Sequence, residues 1–357
     1  MKGYIKLESG EIFEGQLAES TEDIYGEIVF CTDMTGYQDV LTDPSYYGQI
    51  VVFTYPLIGN YGWNLNDIDK NSIQPAGIVI SETQDQVFHY EAEESLPDVF
   101  RKAGIPFLSD VDTRALVKTV REKGEMGAVL STSHEKASFQ TYQPMEERKV
   151  IREVSTKEPL SFGKDGFHVV MIDFGYKPST VSHLLQYGCR VTVVPYNYGS
   201  EKISELKPDG IFFSDGPGNP AQVKAQLPEY RELAETYPTL GLCMGHQILA
   251  LAFGAKTEKL HFGHRGANQP VLNVKTNKVF MTAQNHSYKV DENSLPKGEF
   301  IVQYKNVNDG SVEGLSHLKH DIITTQFHPD ASSADSKEIY DQFYVHLKKK
   351  GRERTYA

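Results

Sequence analysis

The run GLCMGHQ, Gly241 to Gln247, carries the strongest chemical signal in the chain. It follows the apolar Pro238-Thr239-Leu240 and precedes Ile248 to Phe253, a segment apolar enough to be a buried helix. A strand, a sharp turn and a helix hold a nucleophile in a strained, outward-facing position, and small residues two before and two after it let the backbone turn that tightly. Gly241 and Gly245 occupy those two places around Cys243. A sulfur at a helix N-terminus also feels the positive end of the dipole and unpaired N–H groups, which favour thiolate and lower the thiol pKa from about 8.5. Cys243 is therefore the candidate nucleophile. Cys31 and Cys189 lie in strand-like runs and read as buried packing residues.

A thiolate needs a base, and the base needs an acceptor to orient it. His328 ends the apolar run Ile322 to Phe327, and Asp330 follows across Pro329. Residues two apart at a strand end can project to one side, so Asp330 could hold one imidazole nitrogen while the other faces the sulfur. His246, three residues after Cys243, is the rival base, although a side chain there points into helix packing. His286, His183, His261 and His264 have no comparable partners in the sequence. The third element is SDGPGNP, Ser214 to Pro220, after the strand-like Ile211 to Phe213. Turn formation alone would explain it. Glycines at a strand's carboxyl end also bring backbone N–H groups close to a substrate, as an acyl-transfer oxyanion requires. The amides of Gly218 and Met244 are the candidate donors. No GxxxxGK[ST] occurs, so there is no P-loop signature for ATP.

The elements that must position these residues follow two rhythms. Up to about residue 130 the chain reads as β-rich. A hairpin turns at Ser9-Gly10, strands are expected over 28–31, 50–54, 78–80 and 128–130, and a helix runs from an N-cap at Asp112 to a stop at Gly124. From about 131 to 166 apolar periodicity is lost, which places the boundary between a domain over 1–150 and one over 167–350. Apolar runs at 168–174, 191–195, 210–214 and 239–243, each followed by a loop and most by a helical pattern, suggest an α/β domain with a mainly parallel sheet covered on both faces. In such sheets active sites collect at the carboxyl ends of the strands.

Composition bounds the function. With 357 residues, of which 39% are apolar, the chain can bury a sizeable core. A net charge of −12 argues against nucleic-acid or membrane-surface binding, and the basic run Lys348 to Arg354 reads as a solvated helix end. Three scattered cysteines exclude a disulfide framework or a cysteine zinc site and fit a reducing compartment. The first 25 residues carry no apolar h-region, and the uncharged runs 44–66 and 236–255 are too rich in Gly, Asn, Gln, His or Pro to be membrane spans, so a cytoplasmic location is expected.

GLCMGHQ, SDGPGNP, TAQNHSY and FHPD, in that order, resemble the class I glutamine amidotransferase domain, which hydrolyses glutamine to glutamate and ammonia through a cysteinyl thioester. MTGYQDVLTDPSYYGQI (34–50), TYPLIGNYG (54–62) and DVDTRALVKTVREKG (110–124) are similar to the amino-terminal domain of carbamoyl-phosphate synthetase small subunits. The resemblance implies Cys243 as nucleophile, His328 as base and Asp330 as third member. It also implies a glutamine pocket of Ser45, Gly216, Gly218, Met244, Gln247, Asn285, Ser287 and Tyr288. Ser45 comes from the first domain, so glutamine would bind near the domain junction. The family usually has Glu where this chain has Asp330, one methylene shorter, so the orienting contact would be longer or bridged by water. No metal or cofactor is implied in this chain; ATP and Mg belong to a large subunit that takes the ammonia and makes carbamoyl phosphate from bicarbonate. The competing readings are the glutaminase subunit of another synthase, such as an anthranilate or guanylate synthase, and a non-catalytic regulatory subunit that kept the fold.

Overall fold

The computed structural model describes residues 1–18, 22–64, 72–84, 86–135, 137–329 and 334–356, and every statement of absence or count below refers to these. The chain forms two compact units, one of residues 1–150 with 261–266, the other of 151–260 with 267–357.

The first unit is a closed barrel. Strands β1 (Lys2–Leu7) and β2 (Ile12–Ala18) form the expected hairpin, with Ile5 opposite Phe13. They are followed by β3 (Ile24–Cys31), helix α1 (Tyr37–Thr42), β4 (Gln49–Phe53), β5 (Gly77–Val79), α2 (Leu96–Ala103), β6 (Phe107–Ser109), α3 (Thr113–Lys123) and β7 (Gly127–Ser131). The barrel order is β1-β2-β6-β5-β4-β3-β7. Helix α3 has the ends its sequence specifies: the Asp112 carboxylate accepts from Ala115 N–H at 2.9 Å, and Gly124, at φ 93°, donates back to Val120 O at 2.8 Å. Strand β6 closes the ring by pairing antiparallel with β2 and parallel with β5. Ile5, Leu17, Ile28, Ile50, Val79 and Leu108 fill one apolar cluster of this unit.

Helix α4 (Val150–Val154), which starts at the boundary, and β8 (Leu160–Phe162) open the second unit, two short elements inside a stretch whose periodicity suggested neither. The alternation then runs β9 (Phe167–Asp173), α5 (Pro178–Gln186), β10 (Cys189–Pro195), α6 (Ser200–Glu205), β11 (Gly210–Phe213), α7 (Leu227–Thr236), β12 (Thr239–Leu242) and α8 (Met244–Ala252). Strands β13 (Thr257–Asn273), β14 (Lys278–Val290), β15 (Phe300–Asn306), β16 (Val312–His317) and β17 (Ile322–Thr325) follow, and α9 (Ala334–Tyr356) ends the chain.

These strands form one ten-stranded sheet ordered β14-β13-β15-β16-β17-β12-β11-β9-β10-β8. Its five central strands, from β17 to β10, are parallel. The sheet as a whole is mixed rather than mainly parallel, because β8 and the strands from β13 to β16 pair antiparallel. The cause is local: β13 and β14 are joined by the short turn 274–277, where Asn277 takes φ 58°, and such a turn reverses the chain without a crossover helix. Both faces of the central strands are buried. Val169 and Met171 of β9 pack with Leu240, Leu242 and α9, while Val170 and Ile172 pack on the opposite face with Phe213, Ile248 and α7. Among the described residues no helix is long and apolar enough to cross a membrane.

Candidate active site

Cys243 sits between β12 and α8 at φ 50°, ψ −101°, a left-handed backbone that costs a non-glycine residue of order 1–3 kcal/mol and persists only where its surroundings enforce it. Two neighbours do so. A side chain at Gly245 would collide with the carbonyl oxygen of Phe213 on β11, so only glycine lets α8 start this close to the sheet. The Cys243 N–H donates to Thr325 O of β17 at 2.8 Å, continuing the parallel register that pairs Leu242 with Thr325.

The same register brings His328 to this edge of the sheet. His328 follows β17 by three residues, and its N–H donates to Ala283 O of β14 at 3.0 Å. That tie carries β14 over the cysteine. The Cys243 thiol lies 3.5 Å from Asn285 O, and Gln247 Nε2 donates to Tyr288 O at 2.7 Å and to Gln326 Oε1 at 2.9 Å. Gln326 in turn places its amide nitrogen 3.7 Å from Cys243 Sγ.

On the other side the glycine-rich loop after β11 is locked in place. Ser214 O accepts from Gly245 N–H at 3.0 Å, and Ser214 Oγ accepts from Phe174 N–H at 2.9 Å and donates to Asp215 O at 2.8 Å. Asp173, whose carboxyl burial pushes above the ordinary range, accepts from the amides of Thr156, Gly175 and Tyr176 and so organises the neighbouring loop. The fully buried Asp215 carboxylate lies 3.5 Å from His328 Nδ1 and 3.8 Å from Lys177 Nζ.

Of the residues singled out in the sequence, Cys243, Met244, Gln247, Asn285 and Tyr288 are buried together around the β12–α8 turn and β14. Ser287, also on β14, is half-buried. Gly216 is buried, and Gly218 is half-exposed at φ 87°. Ser45 lies in the barrel unit, in the helical turn Pro44–Tyr46 where the Asp43 carboxylate accepts from its N–H. Its hydroxyl oxygen is buried without a hydrogen-bond partner. Asp330 falls outside the described residues.

His246 is a core residue. It is wholly buried, its Nδ1 is 2.8 Å from Thr324 Oγ1, and burial drives its pKa down to about 3, which keeps the ring neutral. Burial likewise pushes the Cys31 thiol up to about 12 and the Cys189 thiol up to about 11, so both stay protonated and inert near neutral pH.

Sequence reasoning missed Asp215, Gln326 and Lys177. A charged residue closing the apolar strand 210–213 was the available signal for Asp215, masked by the turn chemistry of its neighbours. Gln326 was hidden in a run read as apolar throughout.

A sulfur on a strained strand-to-helix turn, an imidazole from the adjacent parallel strand and a glycine-rich loop at the same carboxyl edge are the parts of a thiol acyl-transfer site. Residues 170–347 match the class-I glutamine amidotransferase family, and residues 5–130 match the CPSase domain of the carbamoyl-phosphate synthase small chain. The chain is 52% identical over the full length of both proteins to the carbamoyl phosphate synthase arginine-specific small chain of Halalkalibacterium halodurans. It is 48% identical, again over both full lengths, to the one of Bacillus subtilis. It is 41% identical to the pyrimidine-specific small chain of H. halodurans, over 96% of each chain. The chain belongs to the carbamoyl-phosphate synthase small-chain family.

Proposed function

We propose that this chain is the glutamine-hydrolysing subunit of a carbamoyl-phosphate synthase, with Cys243 as nucleophile and His328 as base and acid. The observation that carries the reading is the left-handed Cys243, tied through its own N–H to the strand that delivers His328. The Cys243 thiol passes its proton to His328, and the sulfur bonds to the carboxamide carbon of glutamine. The amides of Gly218 and Met244 hold the oxyanion. Imidazolium returns the proton to the leaving nitrogen as the C–N bond breaks, giving ammonia and the thioester. Water then gives a proton to His328 while its oxygen bonds to the acyl carbon, and the S–C bond breaks to release glutamate and the sulfur.

Gln247, Asn285, Ser287, Tyr288 and Gly216, all of the sheet unit, line the glutamine side of this chemistry. Ammonia passes to a large chain, which uses ATP and Mg to make carbamoyl phosphate from bicarbonate. Within a single organism, H. halodurans, the arginine-specific relative is the more similar one at 52% against 41%, which supports a role in arginine rather than pyrimidine supply.

The test is ammonia release from glutamine, with and without the large chain, for the wild type and Cys243→Ser. The substitution is expected to lower glutamine-dependent synthesis by about a thousandfold or more and to spare synthesis from added ammonium. Survival of both activities would refute the assignment.

A further inference from the structure

We infer that Asp215, from the glycine-rich loop, is the positioning residue that orients His328. The inference rests on the thiol-imidazole reading above and deepens it. A base in a thiol site needs an acceptor on the ring nitrogen that does not face the sulfur, both to fix the tautomer and to stabilise the imidazolium that forms. Asp215 Oδ2 is 3.5 Å from His328 Nδ1, and the Asp215 side chain is fully buried. Lys177, just before α5, places its ammonium 3.8 Å from the same oxygen. On α9 the buried Tyr340 feels the charge of Asp215; its hydroxyl is held protonated first by burial and then by that charge.

The position of Asp215 is fixed from several sides. Its own carbonyl accepts from Ser214 Oγ, and the preceding carbonyl accepts from Gly245 N–H, two residues beyond the nucleophile. A side chain on the following residue, Gly216, would collide with the Phe174 carbonyl. One hydrogen-bonded frame therefore sets both the turn that carries the sulfur and the carboxylate beside the imidazole. Separations of this size are common in unliganded sites and tighten when the reacting groups are in place. SDGPGNP thus does two things at once: its glycines free backbone amides for the oxyanion, and its aspartate holds the base.

The test uses the assembled complex of this chain with its large chain. Ammonia release from glutamine is normalised to ammonium-dependent synthesis in the same preparation, and the rate of Cys243 alkylation by iodoacetamide is followed against pH. Asp215→Asn is expected to lower the turnover of glutamine about a hundredfold with little change in KM. It also moves the alkylation midpoint upward, because an imidazolium without its carboxylate supports the thiolate less well. Asp330→Asn causes a smaller loss and no shift. The inference is overturned if Asp330→Asn moves the midpoint and Asp215→Asn does not, or if Asp215→Asn keeps full activity. Ammonia release that survives Cys243→Ser would instead sink the underlying reading, whatever the aspartates do. Should Asp215→Asn not fold, a crystal structure of the wild-type complex alkylated on Cys243 by a glutamine diazoketone decides the matter. The Asp215 carboxylate within about 3 Å of His328 Nδ1 supports the inference, and Asp330 in that place overturns it.

Discussion

The barrel unit buries Arg265 against Glu125, with Gly263 N–H donating to the same carboxylate and Gln49 donating to the buried Glu27 at 3.0 Å. The sheet unit buries Asp215, Gln247, Gln326 and His246. By burial alone the two sets are alike, yet the first closes on itself as an ion pair and amide contacts. The second converges on a strained cysteine at the carboxyl edge of parallel strands. Buried polarity therefore does not mark a reactive site. What sets the second apart is the positive φ of Cys243, with groups from β14 and β17 gathered around it.

Breaking the ion pair tests the structural half of this contrast and has the largest expected effect on stability. Arg265→Met leaves an unpaired buried carboxylate and should destabilise the protein by about 3–5 kcal/mol in denaturant unfolding. The double variant with Glu125→Leu should recover most of that loss, and the alkylation rate of Cys243 per folded molecule should hardly change. A loss of thiol reactivity as large as that of stability would erase the distinction between the two units.

Gly245→Ala tests the sheet unit's half of the contrast. Its methyl group must displace the Phe213 carbonyl or the start of α8, at a cost of about 1–3 kcal/mol. Ammonia release from glutamine should fall by about tenfold or more, since the turn that presents the sulfur is displaced with it. Retained activity in a crystal structure with an unmoved Cys243 would show that the glycine is dispensable.

The third test concerns His246, which lies in the sheet unit yet belongs with the structural residues. Unfolded, its imidazole protonates near 6.5; folded, it stays neutral down to about 3. Between those values the unfolded state binds the extra proton, so this residue's contribution is lost as pH falls from about 6.5 toward 3, by roughly 1.4 kcal/mol per pH unit. His246→Gln should flatten the stability-pH curve by about that slope between pH 6 and 4. An unchanged slope would mean that the ring is already charged in the fold.

Much of this was legible in the sequence where local chemistry decides the outcome. Asp112 and Gly124 mark the ends of α3 because their cap bonds are made within the helix itself. Gly245 marks the Cys243 turn because a side chain there would run into the Phe213 carbonyl, and Gly241 because one there would crowd Leu249. Closure of the barrel was not legible, since β6 is only three residues long and is defined by its partners β2 and β5. The antiparallel half of the sheet was hidden in β13 and β14, whose Gly, Asn, Pro and His residues suit a strand only once neighbouring strands satisfy their backbone. The approach of Asp215 to His328 joins the ends of β11 and β17, far apart in sequence, and left no local trace. Ser45 entered through family resemblance alone, because a serine after proline in a turn has no distinguishing pattern of its own.

The hydrogen bond from Cys243 N–H to Thr325 O makes the alignment of sulfur and imidazole a property of two neighbouring central strands. Sliding β17 by one residue against β12 would turn every side chain on it to the opposite face and swing the histidine away. Conservative exchanges at Ile322, Ile323 or Leu240, buried in this pairing, should therefore cost stability by about 0.5–1.5 kcal/mol while the register that aligns Cys243 with Thr325 holds.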